Sequence, residues 1–307
     1  MQPLASLASP AGFPWPTLGQ LLQLKSTKSF NIGRRVRLFG ALMQARLHGQ
    51  PLDDLSHTCP NAVVLFQQCP NLFRAVIDNY VDSRIGALER VHIIAHELQH
   101  VLRFLRAAGV NALSAHDAVR LWQEPHTGWH VDLSLNTASP HEGLWILTLK
   151  QPGGEAVYAL SLAYLPDAVL IGAVQGPKGP QAMAWVREAT KALHGIRPHF
   201  FLIEIVRALC RKSGMRTLVG TDPKYRLKPS GWHRLATEVK FDYSAFWAEL
   251  GVHPGCDHRW QLPLTGPRKP LDEVESKKRA MYRRRYALLD SMEQDIRLVL
   301  SIPDSAA

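Results

Sequence analysis

The sequence predicts an α+β fold: a helical N-terminal region, then an antiparallel sheet with helices, then one long basic C-terminal helix. Three observations predict it. Apolar residues recur at helical spacing through most of residues 31–108. Between residues 144 and 173, short β-prone runs alternate with Pro and Gly turns. From Asp272 to Leu300 one helical period runs without interruption.

The elements follow in chain order. Residues 1–30 read as a flexible N-terminal arm; Met1 to Pro16 lacks a basic start and is broken by Pro3, Pro10 and Pro14, so it fits neither a signal peptide nor a membrane span. Residues 31–125 form the helical region. There Ile32, Val36, Phe39 and Met43 fall at i, i+4, i+7 and i+11, an amphipathic helix edged with arginines. Pro70-Asn71 opens a helix to about Asp82, Ser83 caps a long one that Gly109 stops, and a shorter helix is expected over 115–123. Residues 126–265 carry the sheet. Runs at 144–149, 156–164 and 168–173 are separated by Gln151-Pro152-Gly153-Gly154 and by Pro166-Asp167, the punctuation of an antiparallel meander. Helices over 181–193 and 200–213 follow, Gly214 ends the second, and 217–220 is a further strand. Residues 266–307 form the C-terminal basic helix, which stops before Pro303.

Composition excludes whole classes. A chain of 307 residues that is 46% hydrophobic and 20% charged can bury a core, so disorder of the whole is ruled out. The formal charge of +10 predicts attraction to polyanions: nucleic acid, anionic lipid or nucleotide cofactors. Cys59, Cys69, Cys210 and Cys256 include no CxxC pair and read as thiols of a reducing compartment. Cys256-Asp257-His258 reads as incidental. Apolar runs at 62–66 and 200–203 are too short to span a bilayer, and a cytoplasmic protein without a transmembrane segment is expected.

Segment 168–222 is the most informative, reading as strand, glycine turn, helix, the basic loop His194-Gly195-Ile196-Arg197-Pro198, helix and strand. A helix start favours an anion, because its first N–H groups are unpaired and the macrodipole is positive there. With Ile171-Gly172-Ala173-Val174-Gln175-Gly176, this basic loop, Asp242-Tyr243-Ser244-Ala245-Phe246-Trp247, the tail run at 276–290 and His141-Glu142-Gly143, the chain resembles the VirK/YbjX family over roughly residues 30 to 300. The resemblance implies a bacterial protein of unknown chemistry associated with virulence and envelope integrity; it supplies no catalytic residue. The meander, the helices and the stretch from Ala208 to Val219 are also similar to the core of GNAT-type acyltransferases, in which a helix N-terminus cradles the pyrophosphate of coenzyme A. The region 126–265 is therefore expected to be a GNAT-like core. Two departures stand out: segment 181–193 intervenes before the loop, and the loop has a single glycine. Gln175-Gly176-Pro177-Lys178-Gly179, directly after its strand, is a competing phosphate loop.

These readings converge on a transferase that takes an acyl or aminoacyl group from a phosphate-bearing donor, namely acyl-CoA, an acyl-carrier protein or aminoacyl-tRNA. Gly195 would admit the phosphate and Arg197 bond it, with Gln175, Gly176 and Lys178 as the alternative loop. His194, or His141 with Glu142, would deprotonate the acceptor. In the tail, Tyr282, Tyr286, Leu289, Met292, Ile296 and Val299 form an apolar stripe. Lys278 and Arg285 share its azimuth and need a carboxylate, a pocket or a phosphate; Lys277, Arg283 and Arg284 project away. Phe241, Phe246 and Trp247, with Tyr243, read as core rather than as a base-stacking platform. The second reading is a non-enzymatic adaptor for an anionic partner. The third is a zinc hydrolase, from His96-Glu97-Leu98-Gln99-His100. Against it, Leu88, Val91, Ala95, Leu98, Leu102 and Leu105 mark the buried face of that helix and put His96 and His100 opposite, facing solvent. No third ligand is assigned, although His126 and His130 are available.

Overall fold

The computed structural model describes residues 12–24, 32–110, 113–227, 241–255 and 258–300. It is an α+β fold. The helical region consists of α1 (Leu18–Leu24), α2 (Ile32–Leu47), α3 (Gln50–Thr58), α4 (Pro60–Gln68), a 3-10 turn (Pro70–Leu72), α5 (Phe73–Ile77) and α6 (Ala87–Ala107). Cys59 and Cys69, the residues before Pro60 and Pro70, break this run into short pieces because proline cannot continue a helix but starts one well. α6 is the axis of the region, packing against α2, α3, α4 and α5. Phe13 and Leu21 are buried in the same core.

The second layer is a seven-stranded sheet in sequence order: β1 (Ala118–Gln123), β2 (His130–Leu135), β3 (Trp145–Lys150), β4 (Ala156–Tyr164), β5 (Val169–Gln175), β6 (Leu218–Gly220) and β7 (Trp260–Leu262). Neighbours are antiparallel except β5 and β6, which are parallel. The crossover between them carries α7 (Ala182–Ala192) and α8 (Pro198–Lys212). After β6 come α9 (Tyr243–Glu249) and finally α10 (Ser276–Val299), which lies on α8 and β1. Residues 169–174 of β5 are buried throughout, as expected of a strand covered on both faces.

Several expectations are corrected. Residues 118–123 are a strand, not part of a helix; a bulge between Arg120 and Trp122 makes Leu121 and Trp122 consecutive buried residues and hides the alternation. β2 was not expected, although Val131, Leu133 and Leu135 alternate with Asp132 and Ser134. The helix opened at Pro70 ends at Ile77, where buried Arg90 donates to the carbonyls of Val76 (2.7 Å) and Ile77 (3.3 Å). Ser83 does not cap α6, which begins after Gly86; the Ser83 amide donates instead to Tyr225. On α6, Leu88 is exposed, unlike the rest of its predicted face. On α2 the buried residues are Leu38, Leu42 and Ala45, and the stripe Ile32, Val36, Phe39 is exposed. Cys59, Cys69 and Cys210 are free, buried thiols; Cys256 and Asp257 lie outside the described residues. Among the described residues, no helix is long and apolar enough to cross a membrane.

Candidate functional site

The two parallel strands end on the same side, β5 at Gln175 and β6 at Gly220 with Thr221 following. Against this edge lies a 3-10 turn, Pro140–Glu142, just ahead of β3. Four contacts hold it. The Val81 amide donates to the His141 carbonyl (2.8 Å). The Leu144 amide donates to the Tyr80 hydroxyl (3.1 Å). Gly143, at φ +132°, sits so close to Leu162 that a side chain would strike that residue's backbone. A methyl group at Gly172 would occupy the place of the Glu142 carbonyl oxygen. Val81 itself has φ +46°, a costly conformation for a β-branched residue that these contacts maintain.

The turn presents the Glu142 carboxylate to two donors. Gln175 Nε2 lies 2.9 Å from one oxygen and Arg226 Nη2 lies 3.2 Å from the other. Arg226 stacks over the Tyr243 ring at 4.7 Å, and the Tyr243 hydroxyl accepts from the Val174 amide at 3.0 Å. Burial pushes the Tyr243 hydroxyl up, so it stays protonated. Arg226 is paired through its backbone with Asp82, which is buried and holds Arg84 at 2.6 Å; Arg84 lies over the Tyr225 ring at 4.0 Å. Trp247 supports the floor, donating to the Thr221 carbonyl (3.0 Å) and filling the space that a side chain at Gly220 would need. The predicted core reading of Tyr243, Phe246 and Trp247 therefore agrees with their burial.

A second cluster lies at the α7–α8 junction. His194 (φ +50°) and Gly195 (φ +82°) terminate α7: the Gly195 amide donates back to Thr190 (2.7 Å) and the His194 amide to Lys191 (3.1 Å), the bond pattern of a Schellman cap. The loop carbonyls face Arg285, whose Nε donates to His194 (2.7 Å) and Nη2 to Gly195 (2.9 Å). Arg197 is ion-paired with Glu249 and stacks over Phe200 at 4.6 Å. Beside it His199, which the sequence reading passed over, packs against Tyr158 (5.5 Å) and Phe246 (5.4 Å). Burial, with Arg197 as the lesser cause, pulls the His199 imidazole down to about 4, so it is neutral at physiological pH. Tyr158 links the clusters, because its ring lies 3.2 Å from where a methyl at Gly176 would be.

Residues 28–297 match a family model described as protein of unknown function (DUF535). The chain belongs to this family. DUF535 relatives include an uncharacterized protein of Haemophilus influenzae, 31% identical over 92% of this chain and 97% of its own length. Another is Membrane protein LapB of Mannheimia haemolytica, 27% identical over 71% of this chain and 96% of its own. The uncharacterized protein YbjX of Escherichia coli is 24% identical over 85% and 81%, which agrees with the VirK/YbjX resemblance. No solved structure matches.

The predicted site residues of this DUF535 chain thus fall into two groups: Glu142 and Gln175 with Arg226, and His194 and Gly195 with Arg285. His141 shares the 3-10 turn with Glu142. Lys178 is exposed beyond Gly176. Lys278 does not face inward: half its side chain is exposed and it pairs with Glu275 at 3.3 Å. Arg226 escaped sequence reading because its partner is 84 residues away and no local pattern surrounds it.

The HExxH helix is α6. Glu97 is fully buried on the interior side, where the Tyr80 hydroxyl donates to it, so it is not placed as a solvent-side base. His96 and His100 are half-buried rather than solvent-facing; their rings stack at 5.9 Å, and His100 meets the buried Tyr164 ring at 5.6 Å. His126 is exposed, and His130 is buried with Nδ1 2.9 Å from the Gly128 carbonyl. Among the described residues, no group of three or more His, Cys, Asp and Glu side chains is placed to hold a metal ion.

The Arg285 contacts make a checkable difference between neighbours. Arg285→Met should lower stability by about 1–3 kcal/mol through lost charge-assisted bonds to the loop, whereas Arg284→Met, on the exposed side, should stay within about 0.5 kcal/mol. Denaturant midpoints of the two variants test it; equal midpoints would contradict the role of Arg285 in closing the loop.

Proposed function

We propose that this DUF535 protein is a cytoplasmic transferase that moves an acyl or aminoacyl group from a phosphate-bearing donor to an amine or hydroxyl acceptor. One observation carries the reading: Glu142, Gln175 and Arg226 are gathered at the carboxyl ends of the parallel strand pair β5 and β6, whose crossover runs through two helices. In open sheets with parallel strands such an edge is where ligands are usually held. Glu142, oriented by Gln175 and Arg226, takes the proton of the acceptor. The acceptor atom attacks the donor carbonyl carbon, the new C–N or C–O bond forms, and the bond to the donor's sulfur or ribose oxygen breaks. The leaving thiolate or alkoxide collects a proton from solvent. Arg84, Arg226 and Arg197 each hold a carboxylate and have further N–H donors, which the donor phosphates would engage beside those pairs. The charge of +10 suits acyl-CoA, an acyl-carrier protein and aminoacyl-tRNA alike.

The test is direct. Calorimetric titration with an acyl-CoA series, acyl-carrier protein and aminoacyl-tRNA should find one donor that binds, and radiolabel transfer from it should follow. Glu142→Gln should retain donor binding and lower turnover by about 10²–10⁴-fold, the usual worth of a general base. Absence of binding by every donor would reject the proposal and favour the adaptor reading, for which the basic charge and a relative named as a membrane protein speak.

A further inference from the structure

The apolar stripe of α2 does not face the core. At about 100° per residue, Ile32, Val36, Phe39, Met43 and Leu47 fall within about 80° of one another, whereas Leu38, Leu42 and Ala45, which are buried, lie on a different face. The stripe is open to solvent: Ile32 is 82% exposed, Val36 65%, Phe39 49% and Leu47 81%. Met43 is half-buried against the core, so the open part is Ile32, Val36 and Phe39 over two turns with Leu47 beyond. Apolar residues clustered in this way on an exposed helix face mark an interaction face rather than ordinary scatter.

The charge around it decides the partner. The sixteen residues of α2 include Arg34, Arg35, Arg37 and Arg46 and no Asp or Glu. Arg35 and Arg37 are exposed on the two flanks of the stripe. A protein partner that buried this face would have to match both the apolar residues and the exposed guanidinium groups of Arg35 and Arg37. A second copy of the chain would bring arginines against arginines. An anionic bilayer satisfies both requirements together, since acyl chains receive the apolar side chains and lipid phosphates receive the arginines.

We propose that α2 docks this protein on anionic lipid surfaces, lying in the plane of the interface with Ile32, Val36, Phe39 and Leu47 inserted and Arg35 and Arg37 at the phosphates. The docking is peripheral and reversible. It stands independently of the transferase reading, because α2 belongs to the helical region and not to the sheet edge that holds Glu142.

The full-length protein should co-sediment with vesicles of 70:30 phosphatidylcholine and phosphatidylglycerol at least about tenfold more tightly than with phosphatidylcholine alone, each phosphate-paired arginine near the surface being worth about fivefold. Raising the salt should weaken the binding. Val36→Asp with Phe39→Asp, both at exposed positions, should reduce binding to the anionic vesicles by at least about tenfold. Arg35→Gln with Arg37→Gln should reduce it about tenfold or more while leaving the apolar stripe intact. Unchanged melting curves establish that the variants fold, and the arginine pair serves should the aspartate pair fail that check. No preference for anionic vesicles, or a preference that survives both pairs, would overturn the proposal. So would a dimer in solution that both pairs dissolve without any vesicle binding, since that would assign the face to a second copy.

Discussion

Raising the pH from 5 to 8.5 should cost the protein a few kcal/mol more stability than it costs the Glu97→Gln variant. The buried His199, whose imidazole is pulled down, acts in the opposite direction in both proteins alike. Glu97 is fully buried, and burial pushes its carboxyl up from 4.5 to about 8 against the opposing hydrogen bonds from Tyr80 and the Tyr164 backbone. The folded protein therefore keeps a proton that the unfolded chain has already released, so the unfolded state binds fewer protons and stability falls with rising pH. The loss begins near 4.5, the unfolded value, and is complete once the pH passes about 8. At about 1.4 kcal/mol per unit the gap is worth on the order of 4 kcal/mol, or roughly 5–10 °C in melting temperature. Gln has the same shape and does not titrate. Melting curves of both proteins at pH 5 and 8.5 decide the matter: parallel slopes would mean that the Glu97 carboxyl is ionised in the fold.

The same carboxyl couples the helical region to the site. Tyr80 donates to Glu97 and accepts from the Leu144 amide, so one phenol joins α6, the 78–86 loop and the start of β3. Burial and the neighbouring Glu97 both push the Tyr80 hydroxyl up, which keeps it a donor across the physiological range. Beneath the Glu142 turn, Glu97 therefore acts as a tie between layers.

Gly172→Ala should be the most damaging single substitution at the sheet edge. The added methyl would land on the Glu142 carbonyl oxygen, and because that atom is backbone no rotamer change relieves the clash. The turn would have to move off β5, at a cost of about 3 kcal/mol or more, in the upper range for overpacking. Moving it also separates Glu142 from Gln175 and Arg226, so the proposed transfer activity should fall further than the melting temperature alone explains. Gly40→Ala is the control, since its Cβ would meet nothing within 4 Å and α2 gains a better helix former there. Comparable stability of the two variants would show that the turn is free to shift.

Local pattern alone determined much of this protein. The strand Ala156–Tyr164 and the helices α8 and α10 were legible within a residue or a few, because each carries its own period and its own Gly or Pro punctuation. Met292 and Ile296, read as the apolar seam of the tail, are indeed its buried residues. Tertiary structure decided the rest. A helical period reports that one face is apolar, but which face meets the core depends on neighbours, so the stripe of α2 faces solvent while Leu38 and Leu42 are buried. Residues 118–123 are a strand because β2 offers a ladder, and the bulge masks the alternation that would have announced it. The apolar run of β5 marks a strand covered on both faces, but that its partner is β6 and runs parallel is set by the two-helix crossover between them. Glu142 meets Gln175 and Arg226 across 33 and 84 residues, and Glu97 meets Tyr80 across 17. Such contacts are made by chain topology and by the exclusion of water, neither of which a window of neighbouring residues contains.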